Sequence, residues 1–310
     1  MEFLGFTEAY RQSAPKIFKF IFLSGICSVL LFCKSNEKEI THREGELTIY
    51  ADPANENLLH ALTEIYVMKF PKVKFNMVYK SETAILQDLL DTIASAAFIN
   101  KPLTEQQTRY LKQQTGITPR STLLAYDAVV FIASADSKID SVGFDELRNG
   151  ILNESNKIVF DNGNSGNFNT VKEILKLEIP KEKKIAAMDN AEMVIDFVQK
   201  SPGSIGVIGM NEISEKTSPK VKELLKKIKV LPVVDSLNVI QEPTVPNILG
   251  FKYPFFKGVY FISREPGFGI GSGFSRFAGS EQGQLIVKRE GLQPNYLYER
   301  NVKVNLESVE

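Results

Sequence analysis

The 310-residue chain has no tryptophan, two histidines and two cysteines. Both cysteines, Cys27 and Cys33, lie near the N-terminus, so no thiol follows residue 33. This excludes a disulfide framework, a cysteine-ligated metal and a cysteine nucleophile from everything beyond that point. His42 and His60 are the only histidines, and His42 falls in a stretch read as a tether. Histidine triads and His-rich metal sites are excluded with them. His60 sits among polar neighbours on a helical segment and reads as a solvated side chain. Neither charge is in surplus: 37 Lys and Arg balance 37 Asp and Glu. That leaves no electrostatic footprint for nucleic acid and no acidic tail. No metal, no cofactor and no nucleic-acid partner is expected. No carboxylate pair singles itself out for catalysis, so a binding protein is expected rather than an enzyme.

What is present is an ordinary globular composition, 43% hydrophobic and 24% charged, in a chain long enough for about two domains. Near the start, Arg11, Lys16 and Lys19 precede the uncharged run FIFLSGICSVLLF, residues 20–32. A membrane span needs roughly 20 apolar residues, so this shorter run suits the apolar core of an export signal. It stops at Cys33, and the polar KSNEKE (34–39) follows. An apolar run ending at a cysteine with a polar tether behind it resembles a bacterial lipoprotein signal. Phe32 stands where that pattern has a small residue, and Glu2 and Glu8 lie in the leading segment. An uncleaved anchor and a buried helix stay open as alternatives. On the lipoprotein reading, residues 1–32 are the signal segment and 33–45 the tether. Cys33 is then the lipidation site, and the protein is expected in the periplasm or cell envelope, lipid-anchored to a membrane.

Beyond the tether, strands alternate with helices. ELTIYA (46–51), VKFNMVY (73–79) and SAAFI (95–99) read as strands. Residues 54–69 and 82–91 read as helices, and TEQQTRYLKQQ (104–114) opens on Thr104 and Gln107, a capping box. The pattern repeats with strand AVVFIA (128–133), helix FDELRNGIL (144–152), strand KIVF (157–160) and a helix from about 166 to 176. A helix opening at Asp189, strand SIGVIG (204–209), helix SPKVKELLKKI (218–228) and strand KVLPVV (229–234) complete it. After the polar crossover SLNVIQEPTVPNILG (236–250) come strand GVYFI (258–262) and a helix with a break expected near Gly279. Such alternation predicts an α/β fold with mixed, mainly parallel sheets and helices on both faces. The expected division is lobe 1 from 46–125 plus 236–310, lobe 2 from 126–235, and a hinge near 126 and 235.

The strand at 160 runs into DNGNSGN (161–167), seven small polar residues ahead of a helix. Bared amides at a helix N-terminus favour an anion, and Asn164, Ser165 and Asn167 would add donors. A plain turn capped by Ser165 or Asn164 stays open beside that reading. An EF-hand starting at Asp161 fails, since Gly163 and Lys172 occupy two ligand positions. There is no Walker loop, and PGFGIGSG (266–273) does not fit the dinucleotide glycine pattern.

Six segments occur in a telling order: AYDAVVFIAS (125–134), FDELRNGIL (144–152), FDNGNSGNFNTVKEIL (160–175), AMDNAEMVIDFVQKSPGSIGVIGMNEI (187–213), YPFFKGVYFIS (253–263) and GFSRFAGSEQGQLIVKREGLQP (273–294). As a set they resemble the phosphate-binding substrate-binding proteins of ABC transporters, in a divergent lipoprotein form like those of Bacteroidetes-type bacteria. The resemblance covers 46–295. It implies a two-lobe type II periplasmic-binding-protein fold that closes over an oxyanion, inorganic phosphate first. It also implies a monomer serving an ABC permease of the inner membrane. The matching loop positions are Asp52, Asn55, Asn100, Lys101, Asn164, Ser165, Gly166 and Asn167. Three departures stand out. The first loop, usually glycine, serine and threonine, holds Asp52, Pro53 and Glu56. The second, usually Ser-Ser-Arg, reads Ile99, Asn100, Lys101. In the third, Asp161 replaces an arginine and Asn167 a threonine. A lost arginine removes a bidentate donor, and an added acid repels a dianion. Asp52 could accept the proton of hydrogen phosphate. The same scaffold acting as a sensor or receptor for another small ligand is the alternative.

Overall fold

Strand β1 (Glu44–Ala51) pairs in parallel with β2 (Lys72–Tyr79) along its whole length and with β3 (Ala96–Ile99) at its end. In the computed structural model the described residues are 41–153, 157–180, 182–215 and 218–296. The signal segment, Cys33 and the tether up to residue 40 lie outside them. No helix among the described residues is long and apolar enough to cross a membrane.

Lobe 1 is built on these strands. Helix α1 (Glu56–Lys69) covers one face, because Leu58, Leu59, Leu62 and Tyr66 fall on one side of it and are fully buried. Helix α2 (Glu82–Leu90) turns Ile85 and Leu89 onto β3. Helix α3 (Glu105–Thr115) opens with the expected box, Thr104 and Gln107 each bonding the other's backbone, and ends on Gly116 at φ 73°.

Strand β4 (Arg120–Ser134) is longer than its apolar core suggested. Its first half pairs antiparallel with β11 (Phe256–Ser263), and its second half with β7 (Ile205–Gly209) and β8 (Ile228–Leu231). β4 therefore passes from one lobe into the other as unbroken strand. The sheet order is β2-β1-β3-β11-β4-β7-β6, with β6 (Ile158–Phe160) parallel to β7. The outer strands of each half are parallel, as expected. The shared centre is antiparallel, because β4 and β11 cross between the lobes in opposite directions.

Lobe 2 packs α4 (Phe144–Leu152), α5 (Gly166–Ile174), α6 (Ala191–Lys200), the single turn α7 (Asn211–Ser214) and α8 (Pro219–Lys227) around β4, β6 and β7. The crossover contains a short helix, α9 (Val245–Leu249), which the sequence did not signal. Ile248, Tyr253 and Phe255 join the lobe 2 core, so on this packing the chain returns to lobe 1 through β11. Helices α10 (Ile270–Ala278) and α11 (Glu281–Arg289) finish lobe 1, with the break at Gly279 and Ser280.

Candidate functional site

Asp52 follows β1, is fully buried and caps a 3-10 turn at Pro53–Asn55, its Oδ1 accepting from the Ala54 amide at 3.0 Å. Its other oxygen, Oδ2, accepts from the Gly166 amide at 2.8 Å. Gly166 is the first residue of α5, and Ser165 caps that helix by accepting from Phe168 N at 3.2 Å. A carboxylate of lobe 1 therefore rests on the N-terminus of a lobe 2 helix, where the unsatisfied amides and the helix dipole attract negative charge.

Two further hydrogen bonds bridge the lobes beside it, from Asn169 to Glu82 and from Asn211 to the Ala54 carbonyl. Asn55 and Asn100 exchange side-chain hydrogen bonds at 3.2 and 3.3 Å, and the Asn100 side chain stands against Gly166. Glu82, 1% exposed, accepts from Asn100 N at 2.9 Å, from Asn169 Nδ2 on α5 at 3.0 Å, and pairs with Lys101 at 3.4 Å. Asn211 of α7 reaches back to the Ala54 carbonyl at 2.7 Å.

Asp52, Asn55, Asn100 and Gly166 lie together, with Lys101 at their edge. Ser165 and Asn167 are buried but turn their side chains onto Asp161, at 2.9 and 2.6 Å. Asn164 is exposed, and its amide closes a local turn onto Asn162 Oδ1. Asp161, standing where the resembling family has arginine, acts as the acceptor that fixes those two side chains.

A second layer was missed from sequence. Lys257 of β11 and Asp127 of β4 lie 3.3 Å apart, both almost wholly buried, as an ion pair not aligned as a hydrogen bond. Asp127 Oδ1 also accepts from the Asn211 amide at 3.3 Å. Lys257 Nζ, Asn167 Oδ1 and Asn211 Oδ1 have no hydrogen-bond partner among the described residues. A signal existed. Asp127 in AYDAVVFIAS and Lys257 in YPFFKGVYFIS are single charges inside otherwise apolar strands, and such charges are buried only when paired.

Burial dominates the electrostatics. It pushes the Asp52 carboxyl up to about 6 against the attraction of Lys257 and the two amides. It raises Asp127 and Asp161 as well, and lifts Glu212 to about 7 with help from Asp161 and Asp127. Lys257 opposes the rise most at Asp52 and Asp127, whereas the Ser165 and Asn167 hydrogen bonds do so at Asp161 and Lys220 does so at Glu212. A cavity of about 340 Å³ is lined by Asn211, Glu212 and Lys220 from lobe 2 and by Glu56 and His60 from lobe 1; Asn211 and Glu212 connect it to the cluster, and neither Lys257 nor Asp52 lines it. Chemically, the arrangement holds one anion on fixed amides, keeps one buried ammonium beside it, and stores protons on buried acids.

The family model described as PBP superfamily domain matches residues 36–282. No curated protein matches the chain. Among solved structures, a candidate phosphate ABC transporter substrate-binding protein of Clostridium perfringens, solved with bound phosphate, aligns at 16% identity and TM-score 0.64 over 81% of this chain and 100% of that one. An ABC-type phosphate transport receptor of Vibrio cholerae aligns at 15% identity and TM-score 0.61, over 81% of this chain and 100% of that one. PstS of Borrelia burgdorferi aligns at 20% and 0.52, over 81% and 99%. At these identities the likeness is one of fold.

Proposed function

The chain belongs to the PBP superfamily-domain family, and from that membership we propose that it is the extracytoplasmic solute-binding protein of an ABC importer. It captures an oxyanion, inorganic phosphate first, between its lobes. One observation carries the reading: the Gly166 amide at the head of α5 already receives a carboxylate oxygen of Asp52, at 2.8 Å and in a buried setting. What holds a carboxylate oxygen there holds a phosphate oxygen equally well.

When the lobes part, Asp52 leaves the amide and the incoming oxyanion takes its place. The Lys257 ammonium, which lacks an aligned acceptor, supplies the positive charge that the missing arginine would have brought. Asp52 then faces the ligand as the acceptor for a proton that phosphate carries and sulfate lacks. Because burial raises Asp161 and Glu212, binding an anion draws protons onto these two acids. Tethered through Cys33 as a monomer, the loaded protein presents its ligand to a permease of the inner membrane.

A second reading, a sensor or receptor for a different small ligand, is favoured by one observation. Asp52, Glu82 and Asn211 already join the lobes directly. Calorimetry on residues 34–310, refolded to remove bound ligand, separates the two. Phosphate binding with proton uptake, absent for sulfate and lost in Ser165→Ala/Asn167→Ala, supports transport of phosphate. No heat with either anion at any pH defeats the oxyanion reading and leaves the second.

A further inference from the structure

A separate cavity of about 530 Å³ lies in lobe 1, between α10 and the start of β4. Ser263 lines it and pairs in the sheet with Arg120 on one side and Ala96 on the other. Ala96 starts β3, and Asn100 follows the end of that strand. At about 3.3 Å per residue, the cavity and the interlobe cluster are separated by roughly 13 Å of strand.

The lining is chemically one-sided. Arg120 and Arg276 are both exposed there, and neither has an ion-pair partner among the described residues. No carboxylate lines the cavity among the described residues. Glu265 approaches this face, but both its oxygens cap α10, accepting from Gly271 N at 2.8 Å and Ser272 N at 2.9 Å. The helix turns Ser272, Ser275, Arg276 and Gly279 toward the cavity, at a three-and-four spacing that makes one face.

The floor carries the decisive group. Ser263 is 6% exposed, and its hydroxyl has no hydrogen-bond partner among the described residues. A buried hydroxyl without a partner costs free energy, so an acceptor brought to it is favoured. Ser272 and Ser280 give their hydroxyl protons to the Gly267 and Phe277 carbonyls, so the two guanidiniums and the Ser263 hydroxyl make the donor set for a group with several anionic oxygens. Phe268 and Tyr296, both partly exposed, add aromatic surface at the same cavity. The volume lies in the range of small-molecule sites, well above that of an inorganic anion.

We propose that this cavity is a second binding site, for a phosphate monoester with a flat organic body. The phosphoryl oxygens lie between Arg120 and Arg276 and accept from Ser263, while the body lies against Tyr296. The site stands independently of the cleft.

The test is calorimetric titration of the full chain with phenyl phosphate, with inorganic phosphate in parallel. Phenyl phosphate is expected to bind wild type and Ser165→Ala/Asn167→Ala alike. Arg120→Ala and Arg276→Ala are each expected to weaken it about tenfold or more, and Arg276→Lys not to restore it, since a point charge does not replace the planar fork. Ser263→Ala is expected to weaken it by a smaller factor of roughly threefold. Both arginines are exposed, so the variants should fold, and circular dichroism checks that. No binding by wild type, or binding indifferent to both arginine changes, overturns the proposal. Equal affinity for inorganic phosphate in the Ser165→Ala/Asn167→Ala background, where the cleft no longer takes it up, overturns the organic body.

Discussion

A Cβ placed on Gly166 would fall on the side-chain oxygen of Asn100, across the boundary between the lobes. Gly166 opens α5 with ordinary helical geometry, and its amide holds Asp52. The glycine is therefore needed for close approach, not for a special backbone angle.

Gly166→Ala tests this. In a helix with open space, alanine gains about 1 kcal/mol over glycine. Here the added methyl wedges Asn100 away and breaks the Asp52 contact. The expected outcome is a larger radius of gyration in X-ray scattering, with the secondary structure of each lobe unchanged. An unchanged scattering profile would show that Asn100 can step aside.

Asp52→Asn removes charge but adds a donor. Both oxygens of Asp52 accept amide protons, at 3.0 and 2.8 Å, so an asparagine must turn its NH₂ toward one of them. The mismatch should cost about 1 to 3 kcal/mol of closed-state stability near neutral pH. The same change deletes the negative charge that competes for the Gly166 amide. Sulfate, which has no proton to offer Asp52, should gain affinity roughly tenfold, since a unit charge at contact distance is worth about 1 to 4 kcal/mol, while phosphate loses the acceptor for its proton. Calorimetry with phosphate and sulfate reads both effects, and unchanged rejection of sulfate by the variant would remove Asp52 from the ligand's path.

Much of this was legible in the sequence, for identifiable reasons. The Thr104–Gln107 box and the stop at Gly279 are local chemistry, and both appear where the residues place them. Of the two cap candidates, Asn164 and Ser165, the helix uses Ser165, and the helix expected to open at Asp189 is capped one residue later, by Asn190. That Asp52, Asn55, Asn100 and Gly166 belong to neighbouring loops was implied by the family resemblance alone, not by any local pattern. The partners of those residues were not legible. That Ser165 and Asn167 serve Asp161, and that Asp52 itself fills the helix N-terminus, are tertiary choices made by packing. The Asp127–Lys257 pair joins residues 130 positions apart, which no local pattern links.

Stability should depend on pH through the buried acids. Asp52 rises from an ordinary 3.8 to about 6, and Glu212 from 4.5 to about 7. A raised acid binds its proton more tightly in the folded chain. Its contribution is full below the unfolded value and is lost as pH climbs through the folded one. Asp161, Asp127, Lys257 and Lys220 set the field that these two groups feel. Urea melts should show stability falling by a few kcal/mol between about pH 4 and about pH 7, with a shallower slope in Asp52→Asn. Stability rising across that window would mean the acids are better solvated than their burial implies.

The role of Lys257 separates into two parts that a double substitution divides. Its side chain and that of Asp127 are 2% and 1% exposed, so removing either leaves the other charge buried alone. Lys257→Met should cost about 3 to 5 kcal/mol, while Asp127→Asn/Lys257→Met should recover most of that, because losing both charges removes the desolvation cost as well. If the lysine only neutralises Asp127, the double variant should bind phosphate as wild type does. If its ammonium is the cation that takes the oxyanion, the double variant melts near wild type and still fails to bind. Recovery of stability without recovery of binding is the outcome expected, and recovery of both would confine Lys257 to the core.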